Sequence, residues 1–177
     1  MPLINIHSAT VADAELIADL SRQTFYETFA ASNTREDMDK FMNEVFTRER
    51  LIKEVGAQGN IFLLAYAEKQ VVGYARMREG GNRAEFVNRS SFEIARIYAI
   101  QSCHGKGVGA ALMNACLDTA RQYNKEVTWL GVWEKNERAI AFYRKWGFEK
   151  FAEHDFILGN DVQRDWLMKR EMNLLPG

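Results

Sequence analysis

The stretch IYAIQSCHGKGVGAAL, from Ile97 to Leu112, decides how this chain is read. Ile97 to Ile100 is apolar and aromatic and reads as the end of a strand, whereas Val108 onward carries apolar residues at helical spacing. Between them, Gly105, Gly107 and Gly109 place three of the chain's 12 glycines within five positions. Glycine permits positive φ and close backbone approach, so successive N–H groups can converge on one anion. The helix that follows adds its unpaired N–H groups and the positive end of its dipole. Such a turn holds phosphate or pyrophosphate, and Lys106 adds a point charge. One glycine would ease a strand–helix bend; three at alternate positions exceed that need.

The rest of the sequence bounds what this turn serves. A length of 177 residues fits one domain, residues 1–177, with its own core. Hydrophobic residues at 47% and charged residues at 27% describe a globular chain rather than a disordered one. The only prolines, Pro2 and Pro176, sit at the ends, so no Pro-rich linker divides the chain. A net charge of −1 gives no basic excess, which argues against a nucleic-acid partner. Cys103 and Cys116 form no CxxC, so neither a zinc site nor a disulfide framework is expected, and no metal. The opening MPLINIHSATVADAE lacks a basic start and an apolar run, and no stretch reaches the ~18–20 apolar residues of a membrane span. Lone cysteines without a leader point to a reducing cytoplasm, with no membrane association.

Patterning places the elements. Leu3–His7 alternates as a short strand. Thr10 and Asp13 have capping-box spacing before a helix that runs to about Phe25, with FYETF as its aromatic end. Thr34–Phe46 and Thr47–Val55 read as helices opening on Thr caps. Ile61–Glu68 and Gln70–Met77 form a hairpin. Gly80–Arg89 is a polar loop, and Phe92–Ile100 a strand. Val108–Tyr123 is a helix with apolar Val108, Leu112, Ala115, Cys116 and Ala120. Val127–Val132 is apolar on both faces and reads as an interior strand. Asn136 caps a helix to Trp146, closed by Arg144, Lys145 and Gly147. Strands Phe151–Leu158 and Trp166–Met172 flank a Gly159–Asp161 turn. The sum is an α+β fold: one mixed, mostly antiparallel sheet with helices on both faces.

Three phosphate-binding patterns compete for the glycine turn. GxxxxGK[ST] fails, because Gly107 follows Lys106. GxGxx[GA] fits Gly105, Gly107 and Ala110, but it requires a doubly wound domain around it. The chain after Gly109 supplies only one parallel-type unit and a terminal hairpin. The third pattern, [QR]xxGx[GA] opening a helix after a strand, belongs to the pyrophosphate loop of the GNAT acetyltransferases. His104-Gly105-Lys106-Gly107-Val108-Gly109 resembles it, with His104 where that family has Gln or Arg. NERAIAFYRKWGF (Asn136–Phe148) resembles the family's N-x-x-A-x-x-[FL]-Y-x-x-x-G-F helix nearly residue for residue. TFYETF, EIARIYAI and LGVWEKNERAIAFYRKWGF look like the PaiA-type spermidine/spermine acetyltransferases. The resemblance covers the whole chain.

The resemblance implies an acyl-CoA N-acyltransferase fold and acetyl transfer from acetyl-CoA to a primary amine by direct attack in a ternary complex. Tyr98, Ala99 and Ile100 would leave the next strand and bind the pantetheine arm through their backbone. His104, Gly105, Lys106, Gly107, Val108, Gly109 and Ala110 would hold the pyrophosphate. Asn136 would bond the pantetheine arm as well as cap its helix. Tyr143, which helical spacing alone makes a core aromatic beside Phe142 and Trp146, becomes the general acid for the departing thiolate. Glu93, at the start of the strand into the loop, is a candidate base, or else a solvated strand end. Tyr26, Tyr98 and Trp133 would line the acceptor cleft; Phe25 and Phe29 read as core. Glu27 and Glu85 are carboxylates that could hold a distal ammonium. His7 and His154 receive no role. The expected acceptor is a polyamine or another small amine. A protein N-terminal or lysine acetyltransferase and a non-catalytic CoA-binding module are the alternatives. The resemblance also allows a homodimer through the C-terminal strands.

Overall fold

The computed structural model describes residues 3–79 and 83–172. Pro2, Pro176 and residues 80–82 of the expected polar loop lie outside them. Strand β1 (Ile4–Ser8) leads into α1 (Ala14–Phe29), α2 (Arg35–Glu44) and α3 (Arg48–Glu54). Strands β2 (Asn60–Ala67), β3 (Gln70–Glu79) and β4 (Ser91–Ala99) follow, then α4 (Val108–Gln122), β5 (Val127–Trp133), α5 (Glu137–Lys145), β6 (Glu149–Leu158) and β7 (Asp161–Glu171). The seven strands form one sheet in the order β1-β2-β3-β4-β5-β7-β6. Every neighbouring pair is antiparallel except β4 with β5.

Local chemistry sets the helix starts. Thr10 and Asp13 form the capping box, here around a short 3₁₀ turn that runs into α1. Thr34 and Thr47 cap α2 and α3 by accepting from Asp37 N–H and Arg50 N–H. Asn136 Oδ1 accepts from Ala139 N–H at 3.2 Å and opens α5. Gly147, at φ +80°, ends it.

The two faces have separate cores. Helices α4 and α5 pack Val108, Leu112, Met113, Cys116, Leu117, Ile140 and Tyr143 on one face, against Ala75, Met77, Phe92 and Leu130. The other face takes α1 through Ile17 and Leu20, against Phe62, Leu64 and Tyr74. Phe25, Phe41 and Phe46 join α1, α2 and the entry to α3 in an aromatic cluster, with ring centroids 4.9–5.6 Å apart. Phe25 is core, as expected.

Helix α1 runs through its FYETF end to Phe29, with the Thr24 and Thr28 hydroxyls bonded to carbonyls four residues back. Two strand starts differ most from the pattern reading. Strand β6 starts at Glu149, with a bulge between Lys150 and Ala152 interrupting the alternation. Strand β7 starts at Asp161 rather than Trp166: the turn is two residues long, so Leu158 already pairs with Asp161. In α4, Met113 and Leu117 are buried core residues that the apolar stripe omitted.

Candidate active site

The site begins where the parallel pairing stops. Strands β4 and β5 pair only through Ser91–Val127, Phe92–Thr128 and Glu93–Trp129. Beyond that, β4 continues against β3 to Ala99, and β5 continues against β7 to Trp133. A bulge opposite Arg76/Met77 bends β4 as it leaves its partner. The β5-facing backbone groups from Ala95 to Ile100 therefore lack a ladder in this gap, and an extended ligand can supply one.

The parted strand delivers the chain to the glycine turn. Gln101–Cys103 make one 3₁₀ turn. Gly105 and Gly107 then take φ +76° and +86°, with no atom within 4 Å of where a Cβ would stand on either. Gly107 is the N-cap of α4, so the N–H groups of Val108, Gly109 and Ala110 face that open space without helical partners. Lys106 is exposed beside it.

His104 is fixed from two sides. Its Nε2 lies 2.9 Å from Ala99 O, and its Nδ1 lies 3.3 Å from Arg138 Nη1. A carbonyl only accepts and a guanidinium only donates, so Nε2 carries the proton and Nδ1 accepts. His104 thus ties the end of β4 to α5 and holds Arg138 beside the loop. The sequence pattern left Arg138 out, because nothing at its helical position marks a contact 34 residues away.

Tyr143 lies on the α4/α5 face of the sheet. It is buried against Phe142 and Phe148 and makes no hydrogen bond among the described residues. Burial pushes its phenol well above the usual range, with the neighbouring Cys116 adding to the shift. It is therefore protonated at neutral pH. Cys116 itself is pushed up to about 12 by burial, which leaves it an inert thiol.

Tyr98 approaches from the α1 face, its ring stacked 6.1 Å from that of Tyr74. Its phenol is also raised, chiefly by burial, with Asp165 a minor contributor and the Arg96 guanidinium opposing the rise. Trp133 ends β5 on this face, 6.3 Å from the ring of Phe29. Beside it opens a cleft of about 740 Å³ lined in part by Ser32, Glu134, Lys135, Asp155 and Asp161. Tyr26 is half exposed on α1 and lines no part of that cleft. In Asn136 the Oδ1 serves the cap, while Nδ2 has no partner among the described residues.

Three expected carboxylates are otherwise engaged. Glu93 sits where β4 and β5 are still paired, and its largely buried carboxylate is held by Arg78. Glu27 accepts from Gln101 N–H at 2.9 Å, which anchors the loop to α1. Glu85 pairs with Arg83 at 3.0 Å. A different acidic residue lies one strand beyond the gap, on the Trp133 face: Asp165 on β7, which the pattern reading left out because it started that strand at Trp166 instead of Asp161.

The sequence from residue 19 to residue 148 matches the model of the Acetyltransferase (GNAT) family. The chain belongs to the GNAT acetyltransferases. An uncharacterized N-acetyltransferase from Lactobacillus delbrueckii subsp. lactis is 37% identical over 158 residues, covering 89% of this chain and 91% of that protein. A spermidine N(1)-acetyltransferase from Thermoplasma acidophilum is 25% identical over 161 residues, 88% of this chain and 95% of the relative. Among solved structures, the PaiA N-acetyltransferase of Thermoplasma acidophilum in complex with coenzyme A superposes with a TM-score of 0.74 at 20% identity, covering 96% of this chain and 99% of that one. As a GNAT enzyme the chain is an acetyl-CoA-dependent N-acetyltransferase with an amine acceptor, and its mixed sheet is the acyl-CoA N-acyltransferase fold. Among the described residues, no group of three His, Cys, Asp or Glu could hold a metal, and no helix is long and apolar enough to cross a membrane.

Proposed function

We propose that the enzyme acetylates a polyamine or a similar small primary amine by direct attack in a ternary complex. The single observation that carries the site assignment is the parting of β4 from β5 after three residue pairs, with the open glycine turn at the end of the parted strand. In this reading the pantetheine arm lies along Tyr98–Ile100 and the amide of Asn136. The pyrophosphate meets the N–H groups from Gly105 to Ala110, with His104, Lys106 and Arg138 beside it. Backbone N–H groups of parted β4 polarise the thioester carbonyl, a contribution typically worth about 3–4 kcal/mol. The amine attacks the carbonyl carbon, the C–S bond breaks, and Tyr143 protonates the leaving sulfur.

A cationic acceptor suits the cleft beside Trp133, whose rim carries Glu134, Asp155 and Asp161 against Lys135 and Arg164. The spermidine acetyltransferase relative supports the same substrate class. Two free cysteines, Cys103 and Cys116, fit a reducing cytoplasm. A homodimer through the outer strand β6 is supported by the exposure of Ile157 on it and Val162 on β7.

The test is thiol release from acetyl-CoA with a panel of spermidine, spermine, diamines, N-terminal peptides and lysine peptides. Turnover of the polyamines above all peptides is expected. Transfer to peptides alone would instead make this a protein acetyltransferase, and tight acetyl-CoA binding with no transfer a binding module.

A further inference from the structure

The proposed reaction requires a group that receives the acceptor's ammonium and takes its proton, and Glu93 is spent on Arg78. On the same face of the sheet as Trp133, one strand beyond the gap, β7 offers a largely buried carboxylate, Asp165. Asp165 stands directly across from Trp133 on β5 and from His154 on β6. Its side chain is 16% exposed, and His154 Nε2 lies 3.7 Å from its Oδ2. Between this pair and the gap lies Gly131, an exposed glycine in the middle of a central strand. A Cβ there would stand 3.6 Å from Asp165 Oδ2 and 3.8 Å from His154 Nε2. The missing side chain leaves room for a small group directly beside the carboxylate.

Strand alternation puts Gly131, Trp133, Asp165 and Leu167 on the α1 face. Leu130 and Val132 turn to the α4/α5 face, where Tyr143 sits. The carboxylate and the proposed acid thus flank the parted strands from opposite sides. An amine arriving from one face and a thiolate departing toward the other require that separation.

We infer that Asp165, backed by His154 and reached over Gly131, is the site that binds the acceptor's ammonium and accepts its proton. The inference rests on the proposed amine acetylation. Asp165 takes one proton from the ammonium, and the freed lone pair attacks the thioester carbon. The C–S electrons leave with sulfur, which is protonated by Tyr143. The second nitrogen proton is lost as the amide forms and restores Tyr143 through solvent, so one proton is released per turnover.

The charged and titratable groups facing Asp165 are His154 from β6 and Tyr98 from β4, while β5 presents uncharged Gly131 and Trp133. Burial raises the Asp165 carboxyl, and the His154 charge opposes that rise. The acid limb of kcat/KM therefore lies above the ordinary carboxylate range.

The experiment measures steady-state transfer to spermidine, or to whichever amine of the panel turns over fastest, across pH, with CoA binding followed by calorimetry. Asp165→Asn should lower kcat/KM for the amine at least about 100-fold and abolish the acid limb, with the CoA Kd unchanged. His154→Gln, a positioning change, should move the acid limb to higher pH. Gly131→Ala meets only ordinary van der Waals contacts, so it folds, and should raise the amine KM roughly tenfold with a smaller change in kcat. If Asp165→Asn folds, binds CoA and keeps both kcat/KM and the acid limb while the wild type acetylates amines, the inference is wrong and the proposed function stands. Should Asp165→Asn fail to fold, an unchanged amine KM in Gly131→Ala together with an unmoved limb in His154→Gln would overturn it. A wild type that acetylates no amine removes the proposed function, and this inference with it.

Discussion

Arg138 Nη1 lies 3.3 Å from His104 Nδ1 and thereby fixes which nitrogen of that ring carries the proton. The bond joins α5 to the end of β4 through the imidazole, because Nε2 then donates to Ala99 O. A glutamine amide can donate and accept in the same sense; an alanine can do neither. His104→Ala should raise the KM for acetyl-CoA about fivefold, the worth of one net hydrogen bond, with kcat little changed. His104→Gln should restore most of that loss. Equal losses in both variants would mean that the ring's bulk, and not its bonding, serves the loop.

Tyr143 is protonated at neutral pH because burial raises its phenol. The sign is simple: the neutral form is the proton donor, and a raised pKa extends its range upward. Activity should therefore not fall on account of Tyr143 as pH climbs through about 10, where an exposed tyrosine ionises. Tyr143→Phe should lower kcat by 10²–10⁴, the usual worth of a positioned acid, while the calorimetric affinity for CoA stays the same. Retention of full kcat would remove Tyr143 from the chemistry and return it to the core.

Glu93 provides a contrast. Its side chain is 11% exposed and meets Arg78, which is 47% exposed, three residue pairs into the sheet and short of the gap. Glu93→Gln should cost about 1–2 kcal/mol of stability in a denaturant titration, since it weakens a charge-assisted bond to a largely buried carboxylate. Its kcat/KM at a temperature well below the melting point should stay within about threefold of wild type. A loss of several hundredfold in a folded variant would restore Glu93 as the base.

What the sequence showed of this site follows from how locally each part is specified. The glycine turn, the Thr caps of α2 and α3 and the Asn136 cap are set by residues within four positions of one another, and they are legible as patterns. The same holds for β5, whose apolar residues on both faces mark an interior strand. The carboxylate on β7 is different. Asp165 acquires its surroundings from β5 and β6 through registers that no local pattern encodes, and polar Arg164–Asp165 precedes the stretch from Trp166 that reads as strand. Glu93 shows the converse: its position on the strand into the loop is visible in the sequence, but its cross-strand partner Arg78 is not. Arg138 likewise gains meaning only from the fold that brings α5 to the loop.

Glu171 yields a stability prediction with a defined pH window. Arg89 grips its carboxylate with two nitrogens, at 3.2 and 2.5 Å, and Lys169 adds a bond at 3.0 Å. These partners hold its pKa down to about 2, from an ordinary 4.5. A depressed carboxylate stabilises the fold when ionised, so its contribution is complete above about pH 4.5 and is lost as pH falls toward 2. Because Glu171 is half exposed, solvent screening limits that contribution to about 0.5–1 kcal/mol. Glu171→Gln should therefore lie that far below wild type in urea titrations at pH 7, and the two curves should converge near pH 2 to 3. A difference that stays constant from pH 7 to pH 2.5 would show that packing between β7 and the segment leading into β4, and not the charge of Glu171, is what the substitution disturbs.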